Sequence, residues 1–466
     1  MNVAFDPGFA WGVATSAYQV EGATEADGRQ ESIWDAFTRV PGAIAGGQDG
    51  TTAADHYHRM AEDVAIMADL GVGYYRFSVS WPRVMHADGT LNTAGVGFYD
   101  RLVDTLLEAG ITPWLTLYHW DLPTSLPGGW LNRDTARAMA AYAVAVHGVL
   151  GDRVRIWTTV NEPWCSAVLG HGTGQHAPGH ADPWEAFTAT HHLLLAHGMT
   201  TRALREIDPD ARLGLTLNFT PALPADPGNP ADVDVASRID ATAHRMWLDP
   251  LFRGGYPDDV IRGAGRAWPA DAVRDGDLPI IGTPVDLLGV NFYTTDRVRA
   301  RLPGEAAPGP LSIRGRRIPS ANLLAPDAVV VDRGLPRTAM GWEIDPTGLR
   351  DLLLRLHRGW TGPAGIPLFV TENGGAFPDH VADDAAVHDD DRIDYLRGHL
   401  AATREAIEEG ADVRGYFLWS LVDNFEWAEG YARTFGLCRL DESGGRHLKD
   451  SARWYSSVCR SGGFEG

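Results

Sequence analysis

The 466-residue chain is 44% hydrophobic and 22% charged, enough apolar material for a large core and too much for a disordered or fibrous protein. Its 40 Lys+Arg against 61 Asp+Glu leave a net charge of −21, which repels phosphate backbones and argues against a nucleic-acid partner. Only one of those basic residues is a lysine, Lys449, so Schiff-base, pyridoxal and carbamyl-lysine chemistries have that one position, and its neighbours Leu448 and Asp450 do not make a P-loop.

The opening MNVAFDPGFAWGVATSAYQVEGA has no basic region and no uninterrupted apolar stretch, and reads as a direct run into a first strand at 9–14, not as a signal peptide. A helical stretch at 58–70 leads to a second strand at 74–80, which ends in Ser-Trp-Pro. Next come a helix at 95–109 and a third strand at 112–118, followed by His119, Trp120 and Asp121. A helix at 133–150 precedes the fourth strand, 155–160, which runs into Asn161-Glu162-Pro163. After a long helix at 184–207, the fifth strand (213–217) ends at Asn218. The sixth (287–293) ends in Asn291-Phe292-Tyr293. Stretches 221–238 and 294–338 are rich in Pro, Gly and Arg and read as long excursions. A helix at 346–357 leads to strand seven (367–371) and Glu372-Asn373-Gly374; a helix at 391–409 leads to strand eight (414–420) and Asp423-Asn424-Phe425-Glu426-Trp427.

Eight strands alternating with helices predict a parallel sheet closed on itself, a single (β/α)8 TIM barrel with long βα loops spanning 1–466 as one catalytic domain. In such a barrel the C-terminal strand ends converge on one face. Here they bring carboxylates, carboxamides, an imidazole and indoles, a set that suits a neutral sugar: polar groups for its hydroxyls and indoles for its apolar ring face. The three cysteines, Cys165, Cys438 and Cys459, are too scattered for a disulfide framework or a Cys-rich zinc site. No apolar run is long enough for a membrane span, and the expectation is a soluble, cytoplasmic protein without metal or cofactor.

Three other patterns carry less. The G-x-G-x-x-A of 172–177 follows no strand directly and precedes Pro178. His56 and His58 open a helix, where residues two apart do not share a face. His191-His192 reads as helix surface and packing.

Glycosidic cleavage commonly needs two carboxyl groups flanking the anomeric carbon, and Glu162 and Glu372 each end an apolar strand beside an Asn. With FAWGVATSAYQVEG, DHYHRMAEDVAIMADLGVGYYRFSVSWPRV, YHWDLP, TVNEPW, HAPG, LGVNFYT, MGWEIDP, VTENGG and WSLVDNFEWAEGY in this order, the chain resembles glycoside hydrolase family 1 β-glycosidases along nearly its whole length. The resemblance implies a retaining enzyme, with Glu372 as nucleophile and Glu162 as acid/base. It implies support from Arg76 and Tyr293 on the nucleophile and from Asn161 on the sugar 2-hydroxyl. Gln19, His119, Trp120, Glu426 and Trp427 match the glycone contacts, and Trp419 matches the indole under the ring. Trp164 and Trp342 match the aglycone side, and Asn218 and Phe435 also fall where the family has site residues. Glu426, together with a sole lysine outside that loop, favours a neutral over a phosphorylated glycone, and an intact Glu162 departs from the thioglucosidase branch. Thr434 before Phe435, and HLKDS around Lys449, depart from the usual family pattern. The implied substrate is a small β-glucoside or oligosaccharide, with glucose, galactose and fucose left open, and with no nucleic-acid or membrane partner. Transglycosylation at the same site and a non-catalytic sugar-binding barrel are the alternative readings, and the oligomeric state is not read.

Overall fold

A computed structural model describes residues 2–306 and 308–465. Eight strands form its centre: β1 (Ala10–Ala14), β2 (Tyr74–Ser78), β3 (Thr112–Tyr118), β4 (Ile156–Asn161), β5 (Arg212–Phe219), β6 (Leu287–Phe292), β7 (Leu368–Asn373) and β8 (Val413–Trp419). Each pairs in parallel with the next, and β8 pairs with β1 to close the barrel. Every strand lies within two residues of its expected range.

Parallel neighbours need crossovers, supplied here by helices α1 (His56–Leu70), α2 (Thr93–Glu108), α3 (Asp134–Leu150), α4 (Pro183–Ile207), α5 (Pro230–Asp240), α6 (Pro346–Leu356) and α7 (Asp390–Glu408), while α8 (Asp450–Ser461) follows the last strand. Their apolar faces and the outward faces of the strands form the main core. Inside the barrel, Trp114, Phe369 and Phe417 fill the base with edge-to-face contacts at 5.1 and 5.0 Å between centroids. The site can therefore occupy only the C-terminal end, above this plug. Strand alternation carries the same inward rows upward from Tyr74 to Arg76 and from Phe417 to Trp419.

The structure corrects two expectations. The stretch 221–238 is not all excursion, because α5 begins at Pro230 with the Asn229 side chain capping Ala231 N–H at 3.1 Å. Its Val235, Ala236 and Ile239 bury against Val298 and Ala325, contacts with a distant segment that no local pattern announces. His191 and His192, read as helix surface and packing, turn out to be packing alone. Both are buried, His191 between Tyr256 Oη and Asp277 (2.9 Å each) and His192 on the Trp130 carbonyl (2.8 Å).

Stretch 294–338 is an excursion, as expected, with short strands of its own. Its hairpin (Leu311–Ile313 with Arg316–Ile318) reaches back over the loops after β1 and β4, where Arg314 donates to the Gly42 and Ala43 carbonyls and Arg316 to the Gly174 carbonyl. Among the described residues no helix is long and apolar enough to cross a membrane.

Candidate active site

Both glutamates leave strands whose pairing slips just beneath them. Between β7 and β6, Val370 faces Val290 and Glu372 faces Asn291, so β7 carries one extra residue. Between β4 and β5, Thr158 faces Gly214 and Asn161 faces Thr216, again one extra. Such bulges twist a strand and re-aim the side chains beyond them. Glu162 itself has φ of 42°, and Trp120 (82°) and Trp427 (47°) share the left-handed region, a strain typical of sites whose surroundings hold them in place.

Glu372 is buried and held at both oxygens: Arg76 Nη1 donates to Oε1 at 2.7 Å and Tyr293 Oη to Oε2 at 2.8 Å. Glu162 is also buried, with Asn291 Nδ2 donating to Oε1 at 2.6 Å and Cys165 Sγ to Oε2 at 3.1 Å. Asn161 links the two clusters. Its Oδ1 accepts from Arg76 Nη2 at 2.6 Å and from Asn291 Nδ2 at 3.2 Å, while its Nδ2 meets His119 Nε2 at 3.1 Å.

This wiring separates the two carboxyls electrically. Burial pushes Glu162 up to about 8, and the Glu372 charge adds to the effect, while Asn291, Cys165 and Arg76 pull it back. Burial raises Glu372 as well, but there the Arg76 charge and the bonds from Arg76 and Tyr293 oppose it. The charge therefore settles on Glu372 and the proton on Glu162. Glu426 is pushed up to about 8 by burial and by both glutamates. Burial, with Arg76 nearby, drives His119 well below the usual imidazole range, so its ring is neutral.

A cavity of about 470 Å³, within the usual range for small-molecule sites, opens above them. At its inner end Gln19 Nε2 donates to Asn424 Oδ1 and the Phe425 carbonyl (3.0 Å each) and approaches Glu426 Oε2 at 3.4 Å. Trp120 and Trp427 pack at 4.4 Å between centroids, and His119 stacks on Trp419 at 6.0 Å. Trp164, Trp342, Asn218 and Phe435 line the remaining wall, with Trp342 5.5 Å from the Tyr293 ring. The residues that the family resemblance puts in the site thus lie together around this cavity. Arg76 and Asn161, both fully buried, lie behind the cavity lining while the others border it.

Gly374 sets how closely β7 and β8 approach above the barrel. A methyl group at its Cα would sit 1.9 Å from the Trp419 carbonyl oxygen, a backbone atom that cannot swing aside. Gly374→Ala is expected to displace Trp419 or Glu372, lowering Tm and cutting activity on a nitrophenyl β-glucoside roughly tenfold or more, in line with sub-ångström positioning demands. An unchanged kcat/KM and Tm would show that the approach is not needed.

Lys449, outside the loop after β8 in sequence, reaches it from behind. Its ammonium is fully buried, 2.9 Å from Asp423 Oδ1 and also paired with Asp379. Arg392 joins the network through Asp379 and the Thr434 carbonyl, tying down the segment that carries Phe435. Buried and held by two carboxylates, that ammonium presents no surface to a sugar phosphate.

Asn291, Cys165 and His176 also line the cavity, although sequence reasoning assigned none of them a role of its own in the site. Asn291 had a signal, since it stands two residues before Tyr293 on the same strand end. Cys165 is three residues after Glu162, one helical turn away. His176, tilted against Trp120 at 5.3 Å, opens the HAPG stretch on the loop after β4.

Comparisons with known proteins bear on the family and the fold. The family model for glycosyl hydrolase family 1 matches residues 1–464. The chain is 48% identical to a thermostable beta-glucosidase B of Thermobispora bispora, covering 99% of this chain and 92% of the relative. It is 46% identical to a bifunctional beta-D-glucosidase/beta-D-fucosidase of Bifidobacterium breve, covering 98% of each. The crystal structure of a psychrophilic beta-glucosidase from Micrococcus antarcticus superposes with a TM-score of 0.94 at 47% identity, covering 98% of both chains. With a closed barrel, two buried glutamates at its mouth and a family match over nearly every residue, the chain belongs to glycosyl hydrolase family 1.

Proposed function

We infer that this enzyme hydrolyses terminal, non-reducing β-D-glucosyl residues of small glycosides and oligosaccharides, with retention of configuration. The observation that carries the reading is the unequal pair: Glu372 kept charged by Arg76 and Tyr293, facing a Glu162 that keeps its proton to about pH 8. Glu372 attacks the anomeric carbon while Glu162 passes its proton to the leaving oxygen. The resulting ester removes the Glu372 charge, which lets the Glu162 pKa fall. Glu162 then takes a proton from water, and the water oxygen attacks the anomeric carbon to release Glu372.

The rest of the cavity supports a neutral hexose. Gln19, His119 and Glu426 offer donors and acceptors for hydroxyls, Trp419 and Trp427 offer ring faces, and Trp120 braces Trp427. The sugar 2-hydroxyl falls to Asn161, whose Nδ2 meets His119 and can exchange that contact for the sugar. Trp164 and Trp342 flank the aglycone. The names of the relatives favour glucose, with fucose as a second glycone.

A panel of nitrophenyl β-glycosides, followed by cellobiose and lactose, tests the reading. The β-glucoside is expected to give the highest kcat/KM, with glucose and nitrophenol released in equal amounts at low substrate. Lack of turnover on every β-glycoside overturns it, and a shortfall of glucose against nitrophenol identifies sugar transfer in place of hydrolysis.

A further inference from the structure

The two oxygens of Glu162 have donors of unequal strength. Asn291 Nδ2 stands 2.6 Å from Oε1, a full amide donor fixed in turn by Thr371 Oγ1 on its own Oδ1 at 2.8 Å. Cys165 Sγ stands 3.1 Å from Oε2, on the wide helical turn Cys165–Gly172 whose first N–H donates to the Glu162 carbonyl at 2.9 Å. The thiol is buried, yet it borders the cavity beside the carboxyl instead of filling the core behind it.

A residue that serves as acid in one half of a cycle and base in the other makes opposite demands on its neighbours. A strong donor locked on Oε2 would favour the charged form throughout and weaken the acid. No donor at all would leave the charged form unsupported when water must be activated. A thiol lies between these, since it donates and accepts weakly and its hydrogen rotates freely. Burial and the adjacent glutamates push the Cys165 thiol well above its ordinary range, so it keeps its hydrogen. We propose that Cys165 is a positioning residue for the acid/base, steadying the ionised Glu162 during water activation and yielding when Oε2 carries the acid proton. This rests on the reading of Glu162 as acid/base.

The other groups facing Glu162 act in known directions. Glu372 from β7 and Glu426 from the loop after β8 favour its protonated form, Arg76 from β2 opposes them, and Tyr293 after β6 is neutral. None of them changes in a Cys165 variant, so a moved limb reports the thiol.

The test is the basic limb of the kcat/KM–pH profile in Cys165→Ala and Cys165→Ser, with Tm recorded for each and Glu162→Gln as control. Cys165→Val, closer in volume, replaces the alanine variant if that one fails to fold. Losing the donor is expected to move the limb up by roughly half a pH unit and to slow hydrolysis of the glycosyl-enzyme, while the stronger hydroxyl moves it down by a similar amount. Limbs that stay put, or that move the same way in both variants, overturn the proposal. A Glu162→Gln enzyme that keeps the limb overturns the acid/base reading itself. A limb lost there but unmoved in the Cys165 variants removes only the role of the thiol.

Discussion

Glu372→Ala is expected to lower kcat on nitrophenyl β-glucoside by roughly 10⁴-fold or more, as removal of a covalent nucleophile does elsewhere. The substitution opens space directly against the anomeric carbon and, among the described residues, leaves Arg76 with only Asn161 Oδ1 for its charge. Removing one partner of a buried ion pair is also destabilising, by about 3–5 kcal/mol, so Tm is measured alongside turnover. Azide fits the vacated space and carries the missing negative charge. It is expected to attack from the side Glu372 occupied, restoring turnover of the activated glycoside and releasing a glucosyl azide of inverted configuration, identified by its proton coupling. A folded variant with near-normal turnover removes Glu372 from the nucleophile role. Azide rescue with retained configuration would do the same.

Glu162→Ala is expected to split substrates by leaving group. Cellobiose, whose departing sugar needs a proton, loses roughly 10²–10⁴-fold in kcat/KM, whereas a dinitrophenyl glucoside loses little in its first step. The second step slows for both, because no base is left to activate water. Azide added to this variant attacks the glycosyl-enzyme and gives a glucosyl azide of retained configuration, the opposite outcome to Glu372→Ala. The pH profile carries an independent sign. The protonated form of Glu162 is the working acid, so wild-type kcat/KM falls as pH rises through about 8, and the variant lacks that limb. Equal losses on both substrates would mean that Glu162 only supports the fold.

Most of the barrel is legible in the sequence because its signals are local. Apolar β-branched runs alternate with amphipathic stretches, and each strand edge falls within two residues of its expected place. The site's membership is legible for a related reason, since strand ends converge once the barrel closes. What escapes is whatever depends on pairing between distant segments. The extra residues that turn Glu162 and Glu372 into the cavity arise from register against β5 and β6, and neither TVNEPW nor VTENGG alone contains that slip. Helix α5 begins in a Pro- and Asp-rich stretch that looks like loop, and its reason to fold is Val298 and Ala325, far along the chain. His191 and His192 read as helix surface and packing on α4, but how deeply they are buried is set by partners from other segments, Asp277, Tyr256 and the Trp130 carbonyl.

The burial of Lys449 has a consequence outside the site. Its ammonium is the only side-chain primary amine of the chain, and it is sealed between Asp379 and Asp423. The side-chain cations that solvent meets are guanidinium and imidazolium groups, neither of which forms a Schiff base with an aldehyde. An enzyme that releases a reducing sugar works amid its own open-chain aldehyde product. This one offers that aldehyde no lysine to condense with, so slow glycation by glucose finds no side-chain amine on its surface. The same feature makes lysine-directed immobilisation chemistry a poor way to attach it to a support.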